Sequence, residues 1–358
     1  MCKHHRNPLQ CILPPYMTDK LDKVMGKDAE PTESDNEFRN KRKVLATIPQ
    51  ARTAMRMAAA PVSNKLYREV YDAHESPMSV GELLWKEGQT KMPTSKDARN
   101  VIEGAGNVWN FYKKLFNRNS INNNGMPIIQ TVRYREHSLK PFVNAFWDGQ
   151  QMFYGTGMAK VTNSFTTDLD IIAHELTHGV IDFEAMLAYE NQSGALNESF
   201  ADVFGILVKQ WTNNTAARKS NWLIGSNILK GKNALRSLKA PGTAYKNDLV
   251  FGDDPQPGHM KDIVKLPNTE GGDFGGVHYN SGIPNHAFYV ASVELGGNAW
   301  EKTGAIWYAA LTDKKLMGKK TDFKGAAKAT MTKADTLFGK GSLESKAVEK
   351  GWKETGVI

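Results

Sequence analysis

The sequence predicts an α+β protein: a β-rich N-terminal half, a mainly α-helical C-terminal half, a cleft where the two meet, and a short leader in front of both. Three features lead to this reading. Residues 1 to about 62 carry the charged, apolar-poor stretch KDAEPTESDNEFRNKRK and then the small-residue run AMRMAAAPVS, the composition of a separate leader on an accessible linker. From Leu66 the apolar residues fall largely in short strand-like runs. Beyond about residue 168 they recur at helical spacing, and strands followed by helices are the pattern of an α+β fold.

The elements follow in order. LYREVYDA reads as a strand, DARNVIEGAGNVWNFYKKLF as a helix, and PIIQTVRYRE as a second strand. NAFWDGQQMFYG has two β-rich arms around Asp148-Gly149, a hairpin turn signal. DLDIIAHELTHGVIDF, ALNESFADVFGILVKQW, IPNHAFYVASVELGG and AWEKTGAIWYAALTDKK then read as helices, with two more amphipathic segments near the end. There is no internal repeat.

With 358 residues, 40% of them hydrophobic, the chain can bury a sizeable core, and overall disorder is excluded. No stretch approaches the roughly 18–20 apolar residues of a membrane helix, so the chain is expected to be soluble, with no membrane partner. MCKHHRNPLQCIL lacks an apolar core of about 7–15 residues, so no signal peptide is expected and the location is cytoplasmic or reached by a non-classical route. The cysteines, Cys2 and Cys11, both lie in the leader, so the body of the chain has no disulfide. Lys and Arg number 46 against 38 Asp and Glu, a net +8. The lysines are spread widely and densest in the last fifth, which reads as a solvated basic surface and not as a nucleic-acid groove.

The chemistry concentrates in HELTH. His174 and His178 stand four apart, one helical turn, so both rings can reach one cation, with Glu175 beside them. A catalytic zinc needs three protein ligands and an open water position, and this motif supplies two. Taken alone, such a pair can also be a chance arrangement on a surface helix. Glu198 follows twenty residues after His178, at the start of a second helical segment, where a helix, turn, helix path can bring its carboxylate back as third ligand. Asp202, four residues on, can accept the outer N–H of a liganding histidine or simply face solvent, and Asn197 can do the same. In DFGGVHYNSG, Asp273 can orient His278 and keep it cationic, although a histidine taken alone is more often structural or on the surface.

HELTH, NESFAD and GGVHYNSG in this order and spacing resemble the thermolysin-like zinc metallopeptidases over nearly all of residues 64–358. The resemblance implies a zinc endopeptidase acting on protein or peptide substrates, with one catalytic Zn2+ held by His174, His178 and Glu198. Glu175 would handle the proton. His278 and Tyr189 would act on the oxyanion, with Asn197, Asp202 and Asp273 supporting the site. It further implies that Asn144 and the Ala145 carbonyl bind the substrate backbone and that Arg236 holds the carbonyl on the leaving side. Ile171 and Leu235 would line an apolar pocket on the carboxyl side of the cut.

The leader resembles the short propeptide of the protealysin-like branch, marked by Pro14-Pro15-Tyr16-Met17. The domains implied are an inhibitory propeptide over 1–60 that lies in the cleft, a β-rich domain over 61–190 and a helical domain over 191–358. The stiff Pro-Pro element is expected to occupy the cleft, and a cut is expected between about residues 55 and 65. Capping of the metal by the Cys11 thiolate is a second way the leader can act, without support from the family. Where relatives carry acidic calcium ligands, this chain keeps Asp170 but has Lys209 and NWLIGSN, so no calcium is expected at the family's double site. The alternative is a non-catalytic relative that keeps the zinc and only binds; the presence of every matched catalytic residue type disfavours it.

Overall fold

A computed structural model describes residues 10–24, 64–75, 81–135, 141–231 and 234–358. The linker run 55–62, which makes up most of the expected processing range, lies outside them.

One sheet forms the N-terminal half. Its strands are β1 (Gln10–Cys11), β2 (Arg68–Asp72), β3 (Glu82–Lys86), β4 (Ile128–Tyr134), β5 (Ala145–Trp147) and β6 (Met152–Gly155), in the order β1-β5-β6-β4-β2-β3. β4 runs parallel to both β2 and β6, and the other pairs are antiparallel. β5 and β6 form the expected hairpin. Its loop spans four residues because the Asp148 carboxylate accepts from the amides of Gln150 and Gln151, each at 2.8 Å. The first and last members of the sheet order, β1 and β3, are the strands the sequence pattern did not reveal.

The leader enters at the sheet edge. Gln10 pairs with Trp147 and Cys11 with Phe146, and helix α1 (Pro15–Val24) follows at once. This corrects the expectation for the Pro-Pro element. Pro15 opens a helix, the position where its fixed φ fits and its missing N–H costs nothing, and residues 10–13 take the extended pose along β5 instead.

α2 (Lys96–Phe116) starts at Ser95, whose Oγ accepts from Ala98 N at 3.3 Å, and ends at Asn117 with left-handed φ of 52°. α3 (Leu169–Phe183) is buried at every position from Asp170 to Ile181, as a helix apolar nearly all round must be. It packs against α4 (Asn191–Thr212), also buried along most of its length. Gly205 permits their close approach, since a Cβ there would stand 2.7 Å from the Asp170 carbonyl oxygen. β7 (Leu223–Ile224) and β8 (Arg236–Ser237) form a small ribbon. α5 (Asp273–Asn280), α6 (Gly282–Leu295), α7 (Thr303–Thr312), α8 (Phe323–Phe338) and α9 (Leu343–Glu354) complete the helical half. No helix among the described residues is long and apolar enough to cross a membrane.

Candidate active site

α3 places the His174 and His178 rings edge to face, with their Nε2 atoms 3.0 Å apart. Glu198, brought in by α4, reaches within 3.5 Å of each of those nitrogens. The outer nitrogens have acceptors. His178 Nδ1 lies 2.8 Å from Asn197 Oδ1, and His174 Nδ1 lies 2.9 Å from Asp202 Oδ1. Those contacts put the proton on Nδ1 and turn an unprotonated Nε2 inward on each ring. Two bare nitrogens at 3.0 Å cannot hydrogen-bond to each other, and Glu198 Oε2 has no hydrogen-bond partner among the described residues. All three side chains are buried, and their donor atoms lie within 4.8 Å of one another. Two imidazoles and a carboxylate so disposed fit a zinc ion, which satisfies all three at once.

Asp202 joins this centre to the cleft. It accepts from Arg236 Nε at 2.9 Å and Nη2 at 2.8 Å, and from Asn285 Nδ2 at 2.9 Å. Burial would raise its carboxyl, but Arg236 and His174 outweigh burial and hold it well below the usual carboxylate range. Glu175 has the opposite fate. Burial pushes its carboxyl well above the ordinary value, and the charge of Glu198 adds to that. Arg236 and the backbone of Ile12 and Trp147 act the other way, although neither Glu175 oxygen completes a hydrogen bond among the described residues.

His278 is aimed by an unusual entry to α5. Phe274, Gly275 and Gly276 have φ of 48°, 88° and 79°, a left-handed run that glycine tolerates without strain. That run brings Asp273 under the ring, with Oδ1 2.6 Å from Nδ1 and Oδ2 accepting from the His278 amide at 2.8 Å. Burial works against the imidazolium, but Glu198 and Asp273 overcome it and push the pKa up to about 9. The Tyr189 hydroxyl stands 3.2 Å from His278 Nε2 and donates to Glu198.

The leader crosses this site as a peptide. His278 Nε2 meets the Cys11 carbonyl oxygen at 2.8 Å, and Arg236 Nη1 donates to the Ile12 oxygen at 2.9 Å. Ile12 N donates to the Ala145 oxygen at 3.2 Å. Asn144 closes on Leu13 from both sides, Oδ1 accepting from its amide at 2.9 Å and Nδ2 donating to its carbonyl at 3.3 Å. The Ile12 side chain is fully buried in the apolar cluster that also holds Ile171 and Leu235. Cys11 packs against the ring cluster of Tyr134, Phe142, Phe146 and Phe153 and is not among the metal-binding group, which leaves thiolate capping without support. Away from the cleft, Lys209 Nζ lies 2.7 Å from Asp170 Oδ2, 3.3 Å from Ser226 Oγ and 3.4 Å from the Leu223 oxygen.

The polar residues singled out from the sequence thus lie within one set of contacts, and Ile171 and Leu235 are buried in the same apolar core as Ile12. Two partners were missed. Asn285 braces Asp202, and Gln256 donates to the His278 carbonyl oxygen at 2.6 Å. Asn285 stands 83 residues from Asp202 and Gln256 22 residues from His278, and neither has a local pattern that marks it.

A buried pair of histidines with a third-ligand glutamate, facing a histidine and a tyrosine across a peptide-filled cleft, has the makings of a zinc metallopeptidase. Comparison with known proteins gives the same class. The family model described as thermolysin metallopeptidase, catalytic domain, matches residues 31–182, and the one described as its alpha-helical domain matches residues 185–357. Protease PrtS of Photorhabdus sp. (strain Az29) is 41% identical, over 98% of this chain and 93% of its own. An extracellular metalloprotease of Pectobacterium carotovorum subsp. carotovorum is 43% identical over 81% of each chain. Among solved structures, the precursor of protealysin, a metalloproteinase from Serratia proteamaculans, superposes with a TM-score of 0.81 at 38% identity, covering 98% of this chain and 100% of that one. The chain belongs to the thermolysin family of zinc metallopeptidases.

Two outcomes are expected at this site. Glu175→Ala should lower turnover by about 10²–10⁴-fold with zinc still bound, because Glu175 is not among the ligands; metal analysis of the purified variant checks it, and loss of zinc would refute the assignment. His278→Ala should lower kcat by about 10²–10³-fold with little change in KM. Because the folded His278 holds its proton more tightly than an ordinary histidine, it is charged at neutral pH and loses that charge over the range centred on about pH 9. The pH–rate profile should therefore fall through that range, and Asp273→Asn should move the fall to lower pH.

Proposed function

We propose that this chain is a zinc endopeptidase made as a precursor, cutting internal peptide bonds that have an apolar residue on the carboxyl side. The observation that carries this reading is the backbone of residues 11–13 held across the site by His278, Arg236, Ala145 and Asn144. The protealysin structure is that of a precursor, which supports the same state for this chain.

His174, His178 and Glu198 would hold the zinc, which would supply the Lewis acidity that brings the pKa of a water down to about 7. Glu175, whose carboxylate is made more basic by burial, takes the proton from the attacking water and returns it to the departing amine. His278, charged at neutral pH, and Tyr189 donate to the oxyanion as it forms. Arg236 fixes the next carbonyl, with Asp202 keeping the guanidinium in place, and Asn144 and Ala145 hold the strand in register. Ile171 and Leu235 line the apolar pocket. A cleavage map should favour Leu, Phe, Ile or Val there, with graded selectivity because one methylene is worth only about 1–3 kcal/mol. A map dominated by charged residues at that position would refute it.

The leader would inhibit by filling the cleft. Intact precursor is expected to be far less active than the shortened form, and added leader peptide should inhibit the shortened form. Equal activity of the two forms would remove the inhibitory role.

Lys209 supports calcium independence at the family's double site. Its ammonium meets Asp170 and two further oxygens, and Asp168 binds Asn227 through the backbone amide at 2.7 Å and the side chain at 2.6 Å. A cation there would meet a fixed positive charge and too few free oxygens. Adding millimolar calcium to zinc-loaded protein should leave the melting temperature unchanged, while Lys209→Ala should lower it. A large rise with calcium would contradict the assignment.

A further inference from the structure

The leader's contacts define more than occupancy, because they specify which peptide bond faces the reacting groups. The carbonyl oxygen met by His278 is that of Cys11, and the next carbonyl along, held by Arg236, is that of Ile12. The amide between them belongs to Ile12, which is hydrogen-bonded to Ala145 and whose backbone lies near enough to Glu175 to influence its carboxyl. The chain direction is that of a peptide to be cut, with its carboxyl side running over Asn144. Nothing in the leader's own chemistry protects this bond. The two prolines stand second and third after Ile12, so neither removes the Ile12 N–H nor restricts the backbone of Cys11.

Resting on the reading of the site as a peptidase with its leader in the cleft, we propose that the peptide bond between Cys11 and Ile12 is a self-cleavage site, hydrolysed within the molecule's own cleft, and that residues 12–24 remain docked afterwards. The oxygen of water adds to the Cys11 carbonyl carbon and the C–N bond breaks. Cys11 leaves as a carboxylate, and Ile12 takes a proton and becomes the new amino terminus. No oxidant or further reactant is needed.

Retention follows from where the leader is anchored. Among the described residues, only Gln10 and Cys11 lie on the amino side of the bond. On the carboxyl side Ile12, Leu13, Met17 and Leu21 are each no more than 1% exposed. Tyr16 packs on Tyr279 with centroids 4.6 Å apart, and Lys20 Nζ donates to the Phe251 carbonyl at 2.5 Å. The nicked leader therefore still fills the apolar pocket, and this cut does not by itself open the cleft. It makes the leader a bound product whose departure awaits the linker cut.

The test uses the full chain, purified in chelator and then given zinc, with aliquots acidified over time for intact mass and casein hydrolysis followed in parallel. A fragment ending at Cys11 and a partner beginning at Ile12 should appear at a rate unchanged by tenfold dilution, before casein activity rises, and should be absent in Glu175→Ala. Ile12→Pro, which has no N–H for Ala145, should abolish this fragment and leave the linker cut; should that variant not fold, the wild-type dilution series decides. A chain that cuts its linker and digests casein without this fragment, or forms it at a rate that falls on dilution, overturns the proposal alone. A folded, zinc-loaded chain that cuts neither itself nor casein overturns the peptidase reading beneath it.

Discussion

The buried carboxylate of Asp202 is the interaction on which the site depends. It has no solvent, so its charge is tolerable only because His174, Arg236 and Asn285 all converge on it. Through one side chain on α4 it sets the orientation of a ring on α3, the position of a guanidinium on β8 and the start of α6. The metal centre and the peptide-gripping arginine are therefore parts of one charge network. Removing either partner would leave a charge stranded in the interior, which is far more costly than the loss of a surface pair.

Around that network, two carboxylates on neighbouring helices, Glu175 on α3 and Asp202 on α4, serve opposite needs. Asp202 is surrounded by donors and stays ionised, whereas Glu175 is buried beside Glu198 with no completed hydrogen bond, and both burial and that neighbouring charge raise its carboxyl. Environments that push similar groups apart in this way separate a structural anion from a group able to exchange a proton. The left-handed turn leading to His278 serves the same end by a backbone route, since only that entry puts Asp273 beneath the ring.

The leader also solves a problem of the sheet. Without it β5 would be an exposed edge, with unpaired backbone groups beside the Phe146 and Phe153 rings. Substrate recognition needs such an edge, and a chain carrying it gains from keeping it covered. β1 does so with the backbone pattern a substrate strand would use, so cover and mimicry are one arrangement.

The α+β order, the helices of the C-terminal half, the His174–His178 pair and the candidate third ligand Glu198 were legible in the sequence because each rests on local periodicity or on spacing along one or two helices. Even the roles of Asn144 and Arg236 became visible only through family resemblance, since nothing in their neighbouring residues marks them. What only the tertiary structure decided was long-range. β1 and the leader's register, the bracing residues Asn285 and Gln256, and the opening of a helix at Pro15 depend on surfaces formed by residues far away in the chain. A strand two residues long has no periodicity to read, and a buried polar partner is chosen by what the folded neighbours leave unsatisfied. The sequence by itself determined which chemistry is present, and the fold determined which peptide bond that chemistry meets, because register is a property of two strands together and not of either alone.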